Sequence, residues 1–259
     1  FKFIIEHGTY PTEQVSEVEL EPNLPSYVTY SNYRVDILKR HRPHAFSIGP
    51  FIHYVPNFYS KEKRILEKKR LGRNLLVFPA HSFYYIKPNY NKHWFINKIK
   101  KMAKDFESVR ICLYWADIQL GLHKLYQNLG FECITAGHIL DPNFLPRLKT
   151  IIEASDLTIS NDVGTHVGYC VYLNKPHIIF HQSSEVKAAR KWKELTDDYW
   201  SSRPYQEILK EFSKTQHKIT PKQRLLINKY YGGKNDIKSK EEFQKIIDFT
   251  EEVYQKNRH

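Results

Sequence analysis

The chain has 259 residues, 41% of them hydrophobic, and a formal net charge of +12, which suits one large domain or two small ones with a sizeable core. No apolar stretch approaches the length of a bilayer-spanning helix, and no signal-peptide pattern is found. The basic balance predicts attraction to anions such as acidic lipid headgroups, phosphorylated small molecules or nucleic acid. Cys112, Cys133 and Cys170 lie apart in apolar runs, which predicts buried thiols rather than disulfides or a zinc site.

The first part of the chain predicts a mixed α/β segment. Phe1 opens an apolar run, FKFII, which indicates a chain numbered from inside a longer protein. The expected elements are strands at 2–5, 27–31 and 45–51, a polar loop up to about Pro25, and a helix at 33–40. A connector with a basic helix follows at 53–70.

From residue 74 onwards, apolar strands alternate with helices. Strands are expected at 74–82, 109–117, 131–138, 157–161 and 177–181, and helices at 93–106, 118–130 (closed by Gly130), 144–155 and 165–174. This alternation of apolar strands with helices predicts an α/β fold with a parallel sheet covered on both faces. Only helical patterns follow residue 182, at 187–200, 202–214, 220–231 and 239–255, and Thr220-Pro221 is typical of a helix start.

Small polar residues and histidines follow almost every predicted strand. They occur at His7-Gly8, Gly49-Pro50, Pro79 to Ser82, Tyr114 to Asp117, Thr135 to His138, and Ser160 to His166. Ligands of open parallel sheets bind beyond the carboxyl ends of the strands. The convergence of these residues therefore predicts a ligand site at that edge.

The run Gly164-Thr165-His166 has the composition of an anion site at the head of a helix. A helix N-terminus presents free N–H groups and the positive end of the helix dipole, glycine allows close approach, and threonine adds a hydroxyl. The alternative is an ordinary threonine N-cap, although one capping residue would suffice and several polar residues are present. Ser160 and Asn161 belong to the same polar run.

The other strand ends leave two interpretations open. His81 and Ser82 either contact a phosphate or base or end the strand, and His138 is either a ligand contact or an ordinary loop histidine. Tyr114 and Trp115 favour packing, and Asp117 favours a helix cap. No metal-ligand spacing, phosphate-binding glycine loop, dinucleotide fingerprint or nucleophile elbow is found.

The strand–polar loop–helix–Lys-Pro–strand unit ASDLTISNDVGTHVGYCVYLNKPHIIF resembles the donor site of GT-B glycosyltransferases, in particular the bacterial capsule and lipopolysaccharide type. FIIEHG resembles the strand of their N-terminal domain that ends in a histidine near the donor phosphate. The resemblance implies a GT-B-like fold of Rossmann-like sheets with a helical C-terminal extension. It divides the chain into 1–60 (the end of an N-terminal domain and linker), 61–182 (a nucleotide-sugar domain) and 183–259 (helices packing across both).

The resemblance also implies roles for individual residues. It places a nucleotide-sugar donor on His81, Ser82, His138, Ser160, Asn161, Gly164, Thr165 and His166, with His7 as the catalytic or phosphate-facing group across the cleft. GT-B enzymes offset the charge of the departing phosphate without a metal, so no metal or cofactor is expected beyond the co-substrate. The acceptor would be a glycan or a lipid-linked glycan in surface polysaccharide biosynthesis, with the enzyme cytoplasmic and peripheral at an anionic inner membrane face.

The sequence departs from the family at one point. Many GT-B enzymes carry paired glutamates around the donor helix, whereas no glutamate lies between residues 154 and 184 here. Donor contacts would therefore fall to serine, threonine, asparagine and histidine. One alternative is a sugar-nucleotide epimerase or hydrolase, which needs carboxylates in its cleft; Glu6, Asp117 and Asp162 are the few acidic residues near these strand ends. The other is a basic nucleic-acid-binding protein, which the net charge alone suggests, and no nucleic-acid partner is expected.

Overall fold

The computed structural model describes residues 1–6, 8, 11–15, 20, 23–82, 87–182, 185–187 and 197–257. It has two parallel sheets, helices against them, and a helical C-terminal region, so the predicted α/β class is confirmed. No helix in the described ranges is long and apolar enough to cross a bilayer.

The first sheet is formed by three parallel strands in the order β1 (Phe3–Ile5), β2 (Ser26–Thr29) and β3 (His44–Ser47). Helix α1 (Asn32–Leu38) joins β2 to β3 and starts at Ser31, whose side chain accepts a hydrogen bond from the Arg34 N–H. A 3-10 turn (Phe51–His53) and helix α2 (Lys61–Leu71) lead to the second sheet.

The second sheet has five parallel strands. Its strands are β4 (Asn74–Phe78), β6 (Ser108–Cys112), β7 (Glu132–Ile134), β8 (Leu157–Ser160) and β9 (His177–Ile179), joined by the helices α3 (Lys92–Ala103), α4 (Trp115–Gln119), α5 (Leu122–Gln127), α6 (Phe144–Glu153) and α7 (Thr165–Tyr172). Alternate residues of β4 face opposite cores: Leu75 and Val77 pack with α3 and α5, and Leu76 and Phe78 pack with α6 and α7. Helices therefore cover both faces of this sheet.

The spatial order of the second sheet is β7-β6-β4-β8-β9. Counted along the chain within this sheet, that order is 3-2-1-4-5, the beginning of the Rossmann arrangement. After β4 the chain adds β6 and β7 on one side of β4, and it then crosses to add β8 and β9 on the other side. A crevice for a ligand is expected where the carboxyl ends of β4 and β8 lie side by side.

Two local predictions were wrong. The single helix expected at 118–130 is broken into α4 and α5 at Gly121, which has φ +79. The closure expected at Gly130 does form: Gly130 has φ +81, and the Gly130 and Phe131 N–H groups donate to the Gln127 and Tyr126 carbonyls. The exclusively helical pattern expected after residue 182 is interrupted by β10 (Glu185–Lys187), which pairs antiparallel with β5 (Lys87–Asn89). Three-residue strands supply too short a pattern to be recognised in sequence.

The C-terminal region contacts both sheets. Helices α8 (Arg203–Phe212) and α9 (Pro221–Tyr231) form a core with α7, whereas α10 (Lys240–Lys256) packs Ile246 against Phe3 and Val28 of the first sheet. The start predicted at Thr220-Pro221 is confirmed as a capping box. A second 3-10 turn lies at Lys234–Asp236 and a helical stretch at 197–201; most of the helix expected at 187–200 lies outside the described residues.

Candidate functional site

Ser160 and Asn161 end β8 and are buried, with their side chains bonded within the protein. The Ser160 hydroxyl donates to the Asp162 carbonyl at 2.7 Å and lies 3.0 Å from Nε2 of His177. The Asn161 Oδ1 accepts from the Ala80 N–H at 2.6 Å. Asn161 thereby fixes the loop after β4 to the loop after β8, across the expected crevice.

Two histidine rings, those of His166 and His177, contact each other edge-on next to this loop. His177 is buried between the Thr158 hydroxyl (2.7 Å) and the Ser160 hydroxyl (3.0 Å). The ring of His166 stacks on Phe78 at a centroid distance of 4.9 Å and meets the His177 ring edge-on at 5.3 Å. The His166 ring therefore belongs partly to the packing that supports the site.

Burial keeps both of these histidines neutral. It lowers the pKa of His166 to about 3, with a smaller contribution from His81, and it lowers the pKa of His177 well below its usual range. His166 retains some exposed surface, but its Nε2 is closed off from solvent and has no hydrogen-bond partner among the described residues. His166 can thus offer a ring N–H or a lone pair, but not a positive charge.

Helix α7 begins at this loop with Gly164 as its N-cap, so Thr165 is the first helical residue. The ordinary threonine N-cap considered from sequence is therefore not what forms. A glycine N-cap has no side chain with which to satisfy the N–H groups of the first turn. The side chain of the N-cap therefore contributes no acceptor to the first turn of α7.

His81 and Ser82 lie on the neighbouring loop after β4. His81 is exposed, and its ring packs against Tyr114 with centroids 4.6 Å apart. The Ser82 N–H donates to both oxygens of Asp117, at 3.1 and 3.3 Å. Asp117 was interpreted as a helix cap; instead its buried carboxylate bonds to this loop, and burial raises its pKa.

His138 follows β7 and completes a row of rings along the same edge. Its ring lies 4.3 Å from that of Trp115, and its Nδ1 accepts from the Leu140 N–H at 3.2 Å. Trp115 in turn lies 5.6 Å from Tyr114, which contacts His81. The row runs across the carboxyl ends of β4, β6 and β7, and its members pack with one another as expected for Tyr114 and Trp115.

Sequence reasoning missed the residue that covers the β8 loop. The Tyr205 hydroxyl of α8 donates to Asp162 Oδ1 at 2.6 Å, and the same oxygen accepts from the Val163 N–H at 2.8 Å. The Tyr199 ring meets the Tyr205 ring edge-on, with centroids 4.9 Å apart. No local pattern links Tyr205 to a loop more than 40 residues earlier. Burial raises the pKa of Asp162.

The structure thus brings together most, but not all, of the predicted site. The end of β8, the loop after it and the first turn of α7 hold Ser160, Asn161, Gly164, Thr165 and His166; His81 and Ser82 lie on the adjacent loop, and His138 is at the far end of the aromatic row. His7 lies outside the described residues. In the part of the chain that the structure describes, no cluster of histidine, cysteine and carboxylate side chains could hold a metal ion.

Comparison with known proteins gives distant structural likenesses only. No family model matches the sequence, and no curated protein is similar to it. The structure of the wall teichoic acid polymerase TagF covers 99% of this chain and 69% of its own, at 11% identity and a TM-score of 0.48. The E. coli ADP-heptose lipopolysaccharide heptosyltransferase II covers 68% and 61%, at 11% identity and 0.37.

A third similar structure is the pneumococcal O-GlcNAc transferase GtfA in complex with UDP and GlcNAc. It covers 97% of this chain and 52% of its own, at 11% identity and a TM-score of 0.42. The chain thus spans between 52% and 69% of the length of these three structures. Likeness at this distance assigns no residue roles.

Proposed function

We propose that the chain is part of a GT-B-like glycosyltransferase that moves a sugar from a nucleotide-sugar donor to a glycan or lipid-linked acceptor in surface polysaccharide biosynthesis. The observation that supports it most is the meeting of the loops after β4 and β8, which Asn161 joins to Ala80 and where a glycine-capped helix begins. Rossmann-like sheets bind nucleotides at this position, and helix N-termini bind phosphate.

The chemistry required of the site is stabilisation of a departing nucleoside phosphate. Negative charge develops on the phosphate as the glycosidic bond breaks, and preorganised N–H groups and dipoles offset that charge. In this proposal the head of α7 supplies the dipole, and Thr165 and Ser82 supply hydroxyls. Because burial lowers the pKa of His166, its ring would act as a hydrogen-bonding group rather than a cation, and the exposed His81 ring lies on the adjacent loop.

His7 remains the proposed catalytic or phosphate-facing group. It directly follows Glu6, at the carboxyl end of β1. An acceptor hydroxyl needs a general base to remove its proton as it attacks. Replacement of His7 by alanine is expected to abolish transfer while leaving donor binding nearly intact, and equal loss of both would assign His7 to donor binding instead.

The donor site is tested by thermal shift and transfer assays with UDP-, GDP-, CMP- and dTDP-sugars. One nucleotide class should raise the melting temperature, and His81→Ala and Thr165→Val should each weaken its binding about tenfold, the cost of a hydrogen bond to a charged group. His41→Ala, an exposed histidine at the end of α1, serves as the matched control. Unchanged binding in both site variants would refute the donor-site assignment, and release of an epimerised free sugar would indicate an epimerase.

A further inference from the structure

Helix α3 has an unusual charge distribution. Five lysines and no carboxylate occur from its first residue to its C-cap, at Lys92, Lys98, Lys100, Lys101 and Lys104, and the next acidic residue, Asp105, lies beyond the helix. The buried side of α3 is apolar and packs on the second sheet, with Phe95, Ile96, Ile99 and Met102 in the core. The lysines therefore lie on the sides and outer face.

Trp94, Lys98 and Lys101 follow the spacing i, i+4 and i+7, so they lie on one face of the helix. The Lys98 ammonium lies 4.8 Å from the centre of the Trp94 ring, and the Trp94 side chain is 37% exposed. Lys100 and Lys104 are also exposed. This surface, Trp94 with Lys98, Lys100, Lys101 and Lys104, is called the α3 face below.

Helix α2 has six basic residues, and three of them pair with carboxylates. Arg64 pairs with Glu153 at 3.3 Å, and Lys68 pairs with Asp156. Arg70 pairs with Glu67 at 2.7 Å and with Glu132 at 3.2 Å.

By contrast, none of the lysines of the α3 face pairs with a carboxylate in the described ranges. Uncompensated charge on one face attracts a polyanion in a way that paired charge does not. The α3 face is thus better suited than α2 to hold a negatively charged partner.

The α3 face begins beside the candidate donor site. The N–H of Asn91, the N-cap of α3, donates to Gln182 Oε1 at 3.0 Å, just after β9. The positive charge of Lys92 acts on Asp117, the carboxylate that bonds to Ser82. From this edge the helix runs for 12 residues, about 18 Å at 1.5 Å per residue.

We propose that the α3 face binds a linear polyanion, a chain carrying repeated phosphate or carboxylate groups, and leads it to the carboxyl edge of the second sheet. A bilayer is less suited, because among the residues of α3 Trp94 is the one large apolar side chain that is exposed. That the polyanion is the acceptor rests on the proposed glycosyltransferase function, whereas the binding itself does not.

The test is a titration of the full chain with inorganic polyphosphate at several salt concentrations. Lys98→Glu/Lys101→Glu is compared with Lys61→Glu/Lys69→Glu, which makes the same change of net charge at exposed positions of α2. The first pair should weaken binding about tenfold and reduce the slope of log K against log salt by about two, the effect of two lost phosphate contacts. The second pair should weaken binding less than about threefold, as expected for distant screened charges.

Lys98→Gln/Lys101→Gln, which removes charge without reversing it, should give about half the change in binding free energy. Equal losses in the α2 and α3 pairs would refute the proposal, because only net charge would then matter. Binding to phosphatidylserine vesicles that depends on α3, without binding to polyphosphate, would overturn it in favour of a membrane. Donor-induced thermal shifts are measured on the same variants. If the proposal about the α3 face fails, these thermal shifts should still be present, so its failure is distinguished from failure of the proposed function.

Discussion

The two parallel sheets use their carboxyl edges in opposite ways. At the first sheet, Glu6 is buried against Arg34 and accepts from the Thr29 hydroxyl, and the Tyr30 hydroxyl donates to the Glu6 carbonyl at 3.1 Å. Gly232, after α9, lies so close that a Cβ there would be 2.1 Å from the Tyr30 carbonyl oxygen. The described part of this edge is closed by the rest of the protein.

At the second sheet, the rings after β4, β6 and β7 pack with one another, and the Tyr205 hydroxyl of α8 reaches the loop after β8. His81 is exposed and His138 and Thr165 are partly exposed, while the bonded residues Ser160 and Asn161 lie beneath them. Similar parallel strands thus yield a structural edge where an ion pair is buried and a surface edge where histidines and a helix start remain accessible. The difference depends on what the C-terminal helices cover.

The largest effect is expected from breaking the closed edge. Arg34→Ala leaves Glu6 as a buried, uncompensated charge and removes donors from the Thr12 and Gln14 carbonyls, so it should lower the free energy of unfolding by about 3–5 kcal/mol. The measurement is urea unfolding beside Arg203→Ala, whose partner Glu207 is on the surface, and which should cost less than ~1 kcal/mol. Similar losses in both variants would show that the first edge is not closed by this pair.

A smaller effect is expected from the residue that joins the two loops of the second edge. Asn161→Ala leaves the Ala80 N–H without its acceptor and should cost about 1–3 kcal/mol, while weakening the donor-induced thermal shift because the loop positions relax. Exposed Asn97→Ala should change stability by less than ~0.5 kcal/mol. Full donor binding in a destabilised Asn161→Ala protein would contradict the positioning role.

The smallest effect concerns acid sensitivity. The folded-state pKa of His166, about 3, lies below that of an unfolded histidine, so unfolding takes up a proton and stability falls as pH decreases from about 6.5 towards 3. His166 should contribute about 1–2 kcal/mol of the loss between pH 7 and pH 5. Urea unfolding of His166→Gln should show a shallower pH dependence than wild type, and His41→Gln serves as the control for loss of an exposed histidine. A His166→Gln curve parallel to that of wild type would contradict the lowered pKa of His166.

Local patterns predicted the strands of both sheets because apolar runs bounded by polar residues depend on neighbours in sequence. They also predicted that the candidate site residues lie near one another, because the carboxyl ends of all the parallel strands of a sheet lie at one edge. They could not separate roles within that edge: Ser160 and Asn161 looked like ligand contacts, yet their partners are His177 and Ala80, fixed only by tertiary packing. The Tyr205–Asp162 bond and the pairing of β5 with β10 depend on distant segments in the same way.

The packing of α10 on the first sheet has a consequence for synthesis. Phe3, Val28 and Ile48 share a core with Ile246, which is translated roughly 200 residues after Ile48, on the order of 10–40 s later at typical elongation rates. Until then one apolar face of the first sheet lacks its cover. The first sheet therefore has an exposed apolar face from its own synthesis until α10 is made, and chaperones that bind such surfaces would act on it during that interval.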